Sequence, residues 1–229
     1  MTETPLLPRN HKQDLSGPYG LMFHHFHGGK HQQVQGSISR EDLEDILQYV
    51  GTQRILTPIE WLEKLDSHQL NSQDRCLTFD DGLLSQFDIA MPLLEEYRLK
   101  AFWFVYSSVF EGQIQFRKLE IYRAFRCKFF PTIDDFYTVF FQRVIEAGFD
   151  SESSLKVTGA QIQGMINSFP FYSENDAKFR LFRDLVLDRQ QYEDIMDKLI
   201  QEHGVDMNDL SQDLWMSNAQ LRYLNDRGH

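Results

Sequence analysis

The stretch most able to do chemistry is Leu77-Thr78-Phe79-Asp80-Asp81-Gly82, in which two carboxylates follow an apolar run and precede a glycine. Polar residues from Asn71 to Arg75 suit a loop before it, and the residues after it have helical apolar spacing, so the hexapeptide reads as a short strand ending in its acids. Adjacent acids at a buried sheet edge repel each other and lose hydration, a cost usually offset by a cation or by one acid keeping its proton. Gly82 reaches backbone angles closed to other residues, so the chain can turn where both carboxylates must face one pocket. Imidazoles form a second cluster in His24-His25-Phe26-His27-Gly28-Gly29-Lys30-His31. Such side chains can bind a metal, but a strand sends alternate residues to opposite faces, so the four histidines cannot all converge. His-Gly-Gly-Lys lacks the spacing of a phosphate-binding loop.

Elements must carry these groups. The apolar run predicts a first strand over Leu21–Phe26. Ser39, with Ile38 before it and Asp42 three residues on, opens a helix with Leu43, Ile46, Leu47 and Val50 on one stripe, ending at Gly51. Thr57-Pro58-Ile59-Glu60 opens a second helix that would bury Trp61, Leu62 and Leu65. After the acid strand, Leu83 to Tyr97 reads as a helix bent at Pro92. Leu99 to Tyr106 then reads as a strand buried on both faces, as in a parallel sheet. Helical spacing recurs from Gln113 to Gly204 with many phenylalanines, the pattern of a helical insertion whose aromatics form a small core. Ser217 starts a last helix, with Leu221 and Leu224 inward.

The formal charge of -11 and pI near 5.1 argue against nucleic acid or an anionic membrane surface as partner. No run approaches the length of a membrane span, and Met1 to Gly20 lacks the apolar core of a secretory signal, so a cytoplasmic location is expected. Cys76 and Cys127 have neither metal-ligand nor disulfide spacing and read as small core residues.

With the hexapeptide placed, the chain resembles the N-terminal part of the polysaccharide deacetylase family, the NodB-homology domain of carbohydrate esterase family 4 type. Leu21-Met22-Phe23-His24 is similar to that family's first strand, Leu77 to Gly82 to its first active-site motif, and Leu99 to Val105 to the strand that follows. The resemblance covers about residues 20–107 and again 214–229. It implies an α/β fold, a partial (β/α) barrel with a large helical insertion: a disordered arm at 1–19, barrel at 20–107, insertion at 108–210, and a return to the barrel at 211–229. It further implies Asp80 as general base and Asp81 as ligand of a divalent metal, zinc in that family; His24, His25 or His27 are the candidates to substitute in part for the remaining ligands, and His24 falls at a position where that family often has histidine.

The family's His-x-x-x-His motif follows a helix ending in Gly-His, like Gly228-His229, and the sequence stops just short of it, so a truncated chain is expected. The function implied is a metal-dependent hydrolase of carbon–nitrogen (non-peptide) bonds. It would remove an acyl group, acetyl, from an amino sugar or polysaccharide in surface-glycan metabolism. The alternative is a catalytically inactive deacetylase-like fold that binds carbohydrate or a protein partner.

Overall fold

Short-range hydrogen bonds set the helix starts. In the computed structural model, which describes residues 17–110, 118–149 and 157–229, Ser39 accepts from the Asp42 N–H while the Asp42 carboxylate accepts from the Ser39 N–H. This reciprocal pair satisfies two orphan donors at the start of α1 (Arg40–Val50). Thr57 and Glu60 do the same for α2 (Pro58–Asp66), and Ser217 with Gln220 for the helix over Asn218–Asp226.

The chain divides into two compact units, one of Lys12–Arg123 with Leu210–His229, the other holding Ala124–Asp209. In the first, β1 (Tyr19–Phe23), β2 (Arg75–Asp80) and β3 (Phe102–Phe104) form a parallel sheet in that order. Phe23 lies beside Phe79, and Phe79 beside Trp103. The two-residue period puts Leu21, Phe23, Leu77, Phe79 and Trp103 on one face. There they pack with Leu43 and Leu47 of α1 and with Leu93 and Leu94 of α3 (Met91–Tyr97). The opposite face carries Met22, Thr78, Asp80 and Phe104, with Met22 61% and Phe104 56% exposed. The architecture is mixed α/β with a small parallel sheet, and no barrel closes among the described residues.

Several expected boundaries move. β1 begins at Tyr19, inside the expected arm, whose residues 1–16 lie outside the described ones, and it ends at Phe23 rather than Phe26 because the His24 carbonyl is taken by the Gln86 side chain. The third strand shrinks to Phe102–Phe104, since the Leu99 N–H bonds back to Leu94 O at the end of α3 and the Val109 N–H bonds to Tyr106 O as α4 (Ser107–Phe110) begins. It is not buried on both faces. The expected helix over Leu83–Tyr97 is a wide π-helical turn at Gln86–Ala90 followed by α3. Pro92 has no N–H to give Asp88, and the Met91 N–H reaches back five residues to Gln86 O instead. In α2, Leu62 and Leu65 are about half exposed rather than buried, and Pro58 is the residue it buries.

The second unit is helical: the later turns of α5 (Lys118–Phe129), then α6 (Ile133–Glu146), α7 (Gly159–Ser168), α8 (Glu174–Leu181) and α9 (Arg189–Glu202). Phe125, Phe136, Phe140 and Phe179 point inward, as their spacing suggests, with Phe140 and Phe179 ring centroids 4.9 Å apart, whereas Phe169 and Phe171 are exposed. Ile145 and Leu185, which share that spacing, are exposed. No helix among the described residues is long and apolar enough to cross a membrane.

The chain rejoins the first unit through α10 (Met207–Ser211), whose last residues lie in it, and α11 (Asn218–Asp226). Leu84 N–H bonds to Leu214 O and Met216 N–H to Gly82 O, tying this return to the turn after β2. His229 then docks on β3, its Nδ1 accepting from the Ala101 N–H at 3.3 Å and Trp103 Nε1–H at 3.1 Å. Burial, with Lys100 and Arg227 adding to it and Glu95 opposing, pushes His229 down from its ordinary 6.5 to about 4. Between those values the unfolded chain takes the proton more readily, so the contact's contribution is whole above pH 6.5 and is lost as pH falls toward 4. Because the ring is partly exposed, solvent screening reduces the effect to the order of 1–2 kcal/mol. Urea unfolding of the wild type and of His229→Leu at neutral and acid pH measures it: the wild-type advantage shrinks by that amount on acidification. An advantage independent of pH would show that burial in the folded chain does not lower the ring's affinity for a proton.

Candidate functional site

The acid pair lies where β2 ends. Asp80 is the last strand residue, on the face away from the helices, and the chain then turns through two left-handed residues, Asp81 at φ 77° and Gly82 at φ 64°. Glycine adopts that conformation freely, whereas aspartate there carries strain of about 1–3 kcal/mol. Such strain persists where the surroundings hold it, and here Gly82 O is fixed by Met216 and the Leu83 N–H by Gln86 Oε1. The turn thus brings both carboxylates toward His24, which stands just past the end of the adjacent β1. His24 Nε2 is 3.7 Å from Asp80 Oδ2 and 4.0 Å from Asp81 Oδ2. Asp80 is a quarter exposed at its side chain, Asp81 less, and His24 more. Asp80 Oδ1 is buried with no hydrogen-bond partner among the described residues.

The four histidines part company, although β1 ends at Phe23 and none of them lies in a strand; their partners separate them. The His25 ring lies parallel to that of His24 at 6.2 Å, but its nitrogens meet groups on α5. Arg123 Nη1 is 2.9 Å from His25 Nδ1, and Glu120 Oε2 is 2.7 Å from His25 Nε2. A guanidinium can only donate, so Nδ1 accepts and Nε2–H donates to Glu120, leaving His25 in one tautomer. His27 Nδ1 meets Ser37 Oγ at 2.9 Å, and His31 Nε2 meets Asp88 Oδ2 at 2.8 Å. Burial opposes it, yet His31 and Lys30 together hold the Asp88 carboxyl below its ordinary range. Of the histidines considered as ligands, His24 approaches the acids, while His25 and His27 turn to other partners.

Sequence reasoning missed Gln86. Fully buried, its amide donates to His24 O at 2.7 Å and Asp80 O at 2.6 Å and its Oε1 accepts from the Leu83 N–H at 3.2 Å. The available signal was a glutamine set among Leu83, Leu84 and Phe87, where an apolar stripe leaves a buried amide no partner but backbone.

Two carboxylates and an imidazole are donors zinc accepts. They do not fit a finished centre: among the described residues no three His, Cys, Asp or Glu side chains are grouped so as to hold a metal ion.

No family model matches the chain, and no curated protein matches it. Among solved structures it is similar to a Streptococcus pyogenes deacetylase, PplD, in complex with acetate, with 24% identity and a TM-score of 0.34. The match covers 42% of this chain and 45% of that one, so the chain spans less than half of the deacetylase it resembles.

Proposed function

We propose that the chain carries the acid part of a hydrolytic site that removes an acyl group, acetyl, from an N-acetylated amino sugar. The observation that supports it is the approach of one imidazole to both members of the acid pair, 3.7 and 4.0 Å, at the carboxyl ends of adjacent parallel strands. Substrates of α/β folds are met at that end of the sheet. Asp80 is the general base, taking a proton from the water whose oxygen bonds to the acyl carbon as the carbon–nitrogen bond breaks. That proton then passes from Asp80 to the departing amine, so the carboxylate is restored as the bond breaks. Asp81 and His24 would be two donors to a zinc ion, against the three protein ligands usual in catalytic centres.

The test is acetate release from an N-acetylglucosamine oligomer by the 229-residue chain, with and without added zinc. Turnover above that of the buffer is expected. A folded chain that releases no acetate under either condition would leave the second reading, a catalytically inactive domain that binds carbohydrate. One observation favours that second reading: in the helical unit Phe169 and Phe171 are exposed and meet Tyr172 in an aromatic cluster suited to stacking on sugar rings. Oligomer binding that survives without hydrolysis and is lost in Phe171→Ala would establish it.

A further inference from the structure

Resting on the hydrolase reading for its functional consequence, we infer that Gln86 is a positioning residue that sets the separation of His24 from Asp80. Strands β1 and β2 are paired only as far as Phe23 and Phe79, and beyond that register no ladder bond holds the two ends together. A single buried amide bridges them there, donating one hydrogen to His24 O and the other to Asp80 O. Its oxygen takes the Leu83 N–H, so the same side chain also holds the turn that aims Asp81. Both amide hydrogens and the amide oxygen of this glutamine are engaged at the ends of two strands and the start of a turn.

The wide turn explains how the amide gets there. Widening at Gln86–Ala90 puts Gln86 inward while Asp88, two residues on, points out to hold Lys30 at 3.0 Å and His31 at 2.8 Å. One turn therefore grips both ends of the loop from His24 to His31, the buried amide at the site end and the partly exposed carboxylate at the far end. Such widened turns are frequent at functional sites, where a side chain has to be re-aimed. The buried grip is the stronger determinant, since exposed ion pairs are worth little.

Crystal structures and steady-state kinetics of Gln86→Met, which keeps the shape and removes every hydrogen bond, test this against Asp88→Asn. In Gln86→Met the His24 Nε2 to Asp80 Oδ2 distance opens beyond ion-pair reach of about 4 Å. In Asp88→Asn it does not. Assayed well below its lowered melting temperature, Gln86→Met loses about 10- to 100-fold in kcat on the acetylated sugar with KM unchanged, the signature of misplaced reacting groups. Gln86→Glu keeps the acceptor for Leu83 and, protonated, one donor, and recovers part of both losses. Should Gln86→Met fail to fold, the distance in Gln86→Glu decides in the same way. A folded variant whose His24 to Asp80 distance matches wild type overturns the inference, whatever its activity. Should the wild type itself release no acetate, the hydrolase reading falls while the measured distance still judges the role of Gln86.

Discussion

Asp80→Asn is expected to lower acetate release by on the order of 10²- to 10⁴-fold, the range for losing a positioned general base. The substitution is nearly isosteric, so the turn through Asp81 and Gly82 and the backbone bond from Gln86 to Asp80 O remain. It removes one of two neighbouring negative charges, and an amide oxygen can take the buried, unpartnered place of Asp80 Oδ1. The melting temperature therefore does not fall, which separates a chemical from a structural loss. Asp45→Asn, an exposed change on α1, serves as the control and keeps wild-type turnover. If Asp80→Asn retained full activity, the base would have to be sought elsewhere, and the proximity of His24 to the acids would be only an ion pair at a strand end.

Phe79→Ala is expected to destabilise the sheet unit by about 3–5 kcal/mol, the usual range for deleting a fully buried aromatic side chain. Phe79 is fully buried and central to the packed face of the sheet. Its ring stacks on Trp103 at 4.4 Å and meets Phe23 at 5.5 Å and Phe26 at 5.9 Å, so alanine leaves a void that three other rings line. A loss of that size is a large part of the 5–15 kcal/mol that holds most domains folded. Urea unfolding followed by tryptophan emission, with Trp103 in the stack as reporter, measures it. Phe79→Leu, which keeps much of the volume, costs less. Equal losses in the two variants would mean that ring packing is not what holds the centre of the sheet.

The helix starts were legible in the sequence because they are local. A hydroxyl and a carboxylate or amide three residues apart can satisfy each other with no help from the rest of the chain, and Ser39, Thr57 and Ser217 open helices where that spacing places them. The order of strand, two helices and acid-ended strand was legible for the same reason, as was the inward packing of the phenylalanines near Phe136 and Phe140. Faces and strand ends were harder to read. Leu62 and Leu65 repeat at the spacing of a buried stripe, yet whether a neighbour covers that stripe depends on what packs there, and α2 leaves both half exposed. Leu99 to Tyr106 has the composition of a strand buried on both faces, but backbone bonds at each end claim its first and last residues and Phe104 lies on the uncovered face.

The candidate site divides in the same way. Two acids and a glycine after an apolar run place carboxylates at a strand end, but the two-residue period alone would send neighbours to opposite faces, and the left-handed turn at Asp81 and Gly82 is what brings both toward His24. Which of four histidines would meet them was decided by partners far away in sequence: Glu120 and Arg123 draw off His25, and Asp88 draws off His31. The same holds for Gln86, whose amide joins two strand ends 56 residues apart in the chain. A hydrogen bond between distant segments has no period or spacing to announce it, and only the folded arrangement brings its donor and acceptor together.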